Sequence, residues 1–156
     1  MDEVTLRNIP AQRVLGIHRK GEFNLITPMM LVIFNYLEDN KIDITAPPIF
    51  LWHEKSLNEA EREDARGTAD IEVVVPVAER VEDAGEIKCY KLPGATMAAI
   101  LHRGPYDECR ETYERLFAWL DEHSMPVIGP IREVYLNDPS EIPREDLLTQ
   151  IYAPVG

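Results

Sequence analysis

Ile9-Pro10-Ala11-Gln12-Arg13-Val14-Leu15-Gly16-Ile17-His18-Arg19-Lys20-Gly21-Glu22-Phe23 returns, 83 positions on, as Leu92-Pro93-Gly94-Ala95-Thr96-Met97-Ala98-Ala99-Ile100-Leu101-His102-Arg103-Gly104-Pro105-Tyr106. Pro10 falls on Pro93, Ile17 on Ile100, Gly21 on Gly104 and Phe23 on Tyr106. The register runs on: Met30, Ile33, Phe34 and Leu37 meet Tyr113, Leu116, Phe117 and Leu120, spacings that mark one face of a helix. Ala46-Pro47-Pro48 then aligns with Gly129-Pro130, allowing one residue of slip. The halves close alike, Glu72-Val73-Val74-Val75-Pro76-Val77 over Gln150-Ile151-Tyr152-Ala153-Pro154-Val155. A unit of about 75 residues is too small to bury a good core alone, so a duplication is expected to pack as one body about a pseudo-twofold axis. The repeats are expected at 1–77 and 87–156, joined by the polar connector 78–86.

Each half reads strand, strand, helix, strand, strand. In the first, Val4 to Asn8 and Arg13 to Arg19 are β-rich around the Ile-Pro break. Thr27-Pro28 predicts a helix start, with Thr27 as N-cap, running to about Asp39. Ile49 to Trp52 and Ile71 to Val75 follow, and the charged stretch Lys55 to Thr68 between them reads as a loop, helical at most in part. In the second half, Lys88 to Lys91 and Thr96 to Leu101 are strands. Asp107 is expected to cap a helix to about His123, and Ile131 to Leu136 and Leu148 to Tyr152 are the closing strands. The expected class is α+β, with duplicated β-α-β-β modules, a mostly antiparallel sheet and two main helices.

Composition narrows the function. The 156 residues carry 16 Lys+Arg against 28 Asp+Glu, a net charge of −12, which disfavours direct nucleic-acid binding. The longest apolar run, Pro28 to Phe34, falls far short of the roughly 20 residues that span a bilayer, so no membrane contact is expected. Without a signal-peptide pattern, the expected location is cytoplasmic, with Cys89 and Cys109 reduced. His18, His53, His102 and His123 lack ligand spacing, so neither a metal nor another cofactor is expected. The helix at 28–37 is apolar nearly all round. It predicts a homodimer interface or an extra core contact on one reading and a greasy pocket wall on the other.

No Gly-x-Ser-x-Gly, His-Glu-x-x-His or phosphate-binding glycine loop occurs. The informative groups are carboxylates inside apolar strands. Alternation puts Glu72 on the side of Val74, Glu133 with Ile131 and Tyr135, and Gln150 with Leu148 and Tyr152. If those faces line one cavity, acid, amide and aromatic together suit a cationic aromatic molecule. The alternative is an open sheet face on which the acids see only water, or, for Glu133, a salt bridge to an Arg.

Four stretches in the second half carry a resemblance. They are Ile100-Leu101-His102-Arg103-Gly104-Pro105-Tyr106-Asp107, Tyr113-Glu114-Arg115-Leu116-Phe117-Ala118-Trp119-Leu120, Gly129 through Pro139, and Leu147 through Val155. With Ile9-Pro10-Ala11 and Asp70-Ile71-Glu72 in the first half, the chain resembles the GyrI-like family. That family is also described as the effector-binding domain of AraC-type and multidrug-responsive transcription regulators. The resemblance implies two β-α-β-β modules with a pocket for hydrophobic, often cationic, small molecules. It implies a Glu on a late strand that meets the ligand, a role matched by Glu133 in Arg132-Glu133-Val134-Tyr135. Where the family often has Thr-Glu-Ile, this chain has Thr149-Gln150-Ile151, which removes one charge and leaves Glu72 as the other acid.

The first functional expectation is therefore a stand-alone binding protein for a hydrophobic, cationic or aromatic small molecule, acting in effector sensing or drug sequestration. Glu133 is the charge partner, Gln150 and Glu72 the polar lining, and Trp52, Trp119, Tyr135 and Tyr152 the aromatic walls. With no room for a helix-turn-helix beside the duplication, a role in transcription regulation calls for a separate partner. An enzyme is the second expectation: some relatives resemble hydrolases of strained cyclopropanoid electrophiles, and Glu133 with Tyr135 would be the acid–base pair. A third is a protein-binding module like the inhibitors of DNA gyrase, using the acidic surface.

Overall fold

The structure, a computed structural model, describes residues 3–54 and 56–156. Among them are eight strands and three α-helices, and every ladder between the strands named below is antiparallel, so the protein is α+β. By its contacts the chain divides into two units. One is Ala11–Pro93; the other is Gly94–Gly156 with the segment ending at Pro10. No helix among the described residues is long and apolar enough to cross a membrane.

The Ala11–Pro93 unit contains β2 (Gln12–Gly21), α1 (Ile26–Asp39), β3 (Ile49–Trp52), α2 (Leu57–Arg66), β4 (Ala69–Pro76) and β5 (Lys88–Leu92). Its strand order is β3-β4-β2-β5. The other unit contains β1 (Thr5–Ile9), β6 (Ala95–Arg103), α3 (Arg110–Glu122), β7 (Ile131–Tyr135) and β8 (Leu148–Pro154), in the order β1-β6-β8-β7. The two orders correspond strand for strand across the duplication, with one exchange. The first strand of each repeat pairs in the unit formed by the other: β1 with β6, and β5 with β2. Local chemistry is compatible with this without dictating it. A residue before proline is held extended, so Ile9 ahead of Pro10 and Leu92 ahead of Pro93 continue their strands.

The cores follow from alternation and helical period. In the first unit, α1 packs on β4 and buries Met29, Ile33 and Leu37, spaced 4 and 4 along one stripe. Central β4 is buried on both sides, with Ile71, Val73, Val74 and Val75 all inaccessible. In the second, α3 packs on β6 and buries Tyr113, Leu116 and Leu120. Each such aliphatic side chain contributes about 1.5–3 kcal/mol by leaving water. Within the chain α1 buries one stripe: Leu31 and Val32, off it, remain exposed at 55% and 37%.

Three local expectations also change. Thr27 does not cap α1, which starts at Ile26 behind a 3-10 turn at Phe23–Leu25, with no side-chain cap. Asp107 does not cap α3. It lies in a 3-10 turn, Tyr106–Glu108, and its carboxylate accepts instead from Arg144 at 2.8 Å. Within the charged stretch of 55–68, whose Lys55 lies outside the described residues, Leu57–Arg66 is helical. Ser56 Oγ accepts from the Glu59 amide at 3.1 Å, and Gly67 ends the helix in the left-handed region at φ +70°. The Ser56-Leu57-Asn58-Glu59 capping pattern and that glycine were the readable signal.

Candidate functional site

β7 carries Ile131, Glu133 and Tyr135 on one face, opposite Ile151 and Thr149 of β8. That face looks toward α3, because Tyr113 on the buried stripe of α3 donates its hydroxyl to Glu133 Oε2. Tyr135, two residues along the same face, donates to Oε1 at 3.1 Å. Tyr106 lies against Tyr135 with ring centroids 4.9 Å apart, and Phe117 stacks on Tyr113 at 6.2 Å. A half-buried carboxylate thus sits in an aromatic cradle. No Lys or Arg among the described residues forms an ion pair with it. Burial pushes the Glu133 carboxyl above its ordinary range, and the two tyrosine hydroxyls, which favour the anion, only partly oppose this. Burial and the Glu133 charge together push Tyr135 well up, and burial raises Tyr106 and the neighbouring Cys109 thiol. These phenols therefore remain protonated hydrogen-bond donors.

The other strand acid has a different setting. Glu72, 9% exposed, pairs in register with His18 on β2 and Leu51 on β3. It accepts from His53 Nε2 at 2.8 Å and from the Tyr90 hydroxyl at 2.5 Å. Burial works against its charge, but the bonds from His53 and Tyr90 and the nearby imidazoles outweigh it and hold the carboxyl below its ordinary range. The reciprocal bond to Glu72 raises His53 against its own burial, helped by the charges of Asp70, Glu72 and Glu54. Gly16, His18, Glu72, Glu86, Lys88 and Tyr90 line an open depression of about 490 Å³ on this face.

The remaining expected site residues are distributed as follows. Gln150 stands opposite Val134, and Tyr152 opposite Arg132. Both therefore lie on the sheet face away from Glu133 and Tyr135, so these four side chains do not form one lining. Gln150 is 7% exposed, and its Nε2 has no hydrogen-bond partner among the described residues. Trp52 pairs with Ile71, on the face away from Glu72, and is buried. Trp119 stacks on His123 at 4.0 Å on α3. His18 and His53, expected to be scattered, meet with rings 5.3 Å apart. Tyr113, Tyr106, His53 and Tyr90 complete the two carboxylate settings and were not foreseen. Tyr113 belonged to a helical stripe already recognised, so its helix-to-strand contact was the one within reach of the sequence.

A duplicated α+β scaffold that places a half-buried acid among tyrosines defines a small-molecule-binding domain. The chain belongs to the GyrI-like small molecule binding domain family, whose model matches residues 2–156. A search of curated proteins found no match. Among solved structures, the C-terminal domain of EcmrR is similar at 22% identity and TM-score 0.87, covering 100% of this chain and 98% of that one. The chain spans 57% of the full EcmrR chain in its DNA complex, at 22% identity and TM-score 0.86 over 99% of this chain. A hydrolase encoded by lin2189 from Listeria innocua is similar at 14% identity and TM-score 0.67, covering 99% and 92%. SAV2435 bound to tetraphenylphosphonium is similar at 12% identity and TM-score 0.66, covering 99% and 94%.

Proposed function

We propose that the protein binds hydrophobic cations at the Glu133 cluster and acts in effector sensing or sequestration. The observation that carries this is a half-buried carboxylate bonded by Tyr113 and Tyr135 hydroxyls, with no basic partner among the described residues. A bound cation supplies the missing counter-charge, favouring the ionised form of an acid that burial otherwise pushes toward neutrality. Tyr135, Tyr106 and Phe117 offer ring faces for cation–π contact, worth about 2 kcal/mol where water is excluded. Tetraphenylphosphonium on SAV2435, a member of the same fold, is a ligand of this chemistry. The test is a thermal-shift and calorimetric comparison of tetraphenylphosphonium with a neutral tetraphenyl analogue. Glu133→Gln is expected to weaken the cation by about ten- to a hundredfold and to leave the neutral compound unchanged. Equal cation affinity in wild type and Glu133→Gln sinks the proposal.

A second reading is favoured by one specific feature: the raised Glu133 carboxyl, 3.1 Å from Tyr135, is suited to give a proton to a leaving group. In that case water adds to a ring carbon of a strained cyclopropanoid electrophile and loses its proton to solvent, the strained C–C bond breaks with its electron pair passing to the conjugated oxygen, Glu133 protonates that oxygen, and Tyr135 holds the Glu133 carboxyl in place. Catalytic turnover abolished by Glu133→Gln selects this reading over simple binding.

A further inference from the structure

His18, His53 and Asp70 each present one ligand atom, and the three atoms lie within 4.8 Å of one another. Strand pairing explains the convergence. β2 and β4 place His18 diagonally from Asp70, and extending the β3–β4 register past Trp52 brings His53 across from Asp70. Asp70, on the central strand, is thus flanked by an imidazole on either side. His18 and Asp70 already make a direct side-chain contact, and the two rings lie nearly parallel, at 16°.

The surroundings are rich in acceptors. Glu72 bonds the His53 ring at 2.8 Å, and Glu54 Oε2 accepts from the Asp70 amide at 3.0 Å. The other Glu54 oxygen is buried and has no hydrogen-bond partner among the described residues. Two carboxylates, Asp70 and Glu72, therefore contact the two imidazoles, and the Glu54 charge lies close enough to act on His53. That set has more lone pairs and more negative charge than its own protons satisfy, which is the electrostatic setting a divalent cation fills.

We propose that His18, His53 and Asp70 bind a late first-row divalent metal ion, with Glu72 orienting the His53 ring. Two imidazole nitrogens and one carboxylate oxygen suit Zn²⁺ or Cu²⁺. Donors around such an ion, at bond lengths near 2.0–2.2 Å, stand about 3–3.6 Å apart, so the trio closes with a small side-chain movement. His18 has freedom for it, with 55% of its side chain exposed. The ion takes the place of the direct His18–Asp70 contact. The Glu72–His53 bond is the carboxylate–histidine arrangement that commonly supports a metal-bound ring. Because His18 and Glu72 also line the open depression, coordination positions left over face water and remain exchangeable. The site is independent of the Glu133 cluster, which lies in the other unit.

The experiment uses the full chain stripped with chelator and titrated with ZnCl₂ by calorimetry in a non-coordinating buffer. One Zn²⁺ per chain is expected. His18→Gln and Asp70→Asn are each expected to weaken it by about tenfold or more, while Cys89→Ser/Cys109→Ser and Glu133→Gln bind as wild type. Cu²⁺ electron paramagnetic resonance on the wild type provides a reading that needs no folded variant. Hyperfine structure from two imidazole nitrogens is expected. Absence of saturable Zn²⁺ binding, unaltered affinity in His18→Gln, loss of binding in the cysteine variant, or a Cu²⁺ spectrum without two nitrogens each overturns the proposal.

Discussion

Gly16→Ala reports directly on how the Glu72 face is assembled. Gly16 pairs with Val74 on one side and Lys88 on the other, and Tyr90 folds across it to reach Glu72. An added Cβ would fall on the Tyr90 Oη and lie 2.9 Å from both its Cζ and Val74 Cγ1. Tyr90 has to leave Glu72, or the β2–β4 ladder has to shift. Overpacking costs about 1–3 kcal/mol. Losing a hydrogen bond to a charged acceptor costs about 1.5–3 kcal/mol. Replacing glycine in a strand returns about 0.5–1 kcal/mol. The expected net loss is about 2–4 kcal/mol, read as a lower denaturation midpoint at constant slope and a fall in Tm of roughly 5–15 °C. In a Tyr90→Phe background the hydroxyl is gone and the ring is no longer anchored. The same substitution is then expected to cost about 1–2 kcal/mol less. A neutral or stabilising Gly16→Ala, or strict additivity of the two changes, refutes the tyrosine-over-glycine account.

The Glu72–His53 pair sets a pH window. Glu72, held low when folded, stabilises the protein above its unfolded value near 4.3, and that support disappears as pH falls through the folded value. His53, held high, stabilises below its unfolded value near 6.5, and its support disappears as pH rises through the folded value. Urea denaturation should therefore separate wild type from Glu72→Gln most between about pH 4.5 and 6.5, with the gap narrowing on both sides. A gap that grows steadily toward alkaline pH contradicts the pairing. Tyr113→Phe removes a bond that favours ionised Glu133, so the pH at which tetraphenylphosphonium affinity rises should move upward, with the neutral analogue unaffected. An unchanged pH profile means that this hydroxyl does not govern the acid. Ser56→Ala removes the α2 cap, and hydrogen exchange should report about 1 kcal/mol less protection in Leu57–Arg66 and little change in β4.

Most of the secondary structure was legible because it rests on local periodicities. Ile49–Trp52 coincides end for end with its strand, and the stripes Met30/Ile33/Leu37 and Tyr113/Leu116/Leu120 fall within α1 and α3. The misplaced caps at Thr27 and Asp107 share one cause: a 3-10 turn precedes each helix and shifts the α-helical start, and cap propensity does not resolve that shift. At the candidate site, Glu133 and Glu72 stood out as acids in apolar strands. What separates them did not: two tyrosines and burial around Glu133, an imidazole and a tyrosine around Glu72.

By itself the sequence determined the duplication, the α+β class and the two acids, since these depend on spacing along one chain. Only the tertiary structure decided that each repeat sends its first strand to the other's unit, because pairing partners far apart in sequence leave no local mark. It likewise decided that Gln150 and Tyr152 lie on the opposite side of the sheet from Glu133. Alternation within a strand gives two faces, and only the register between β7 and β8 says which of them coincide. The meeting of His18, His53 and Asp70 arises the same way, from three strands whose alignment is a property of the folded sheet.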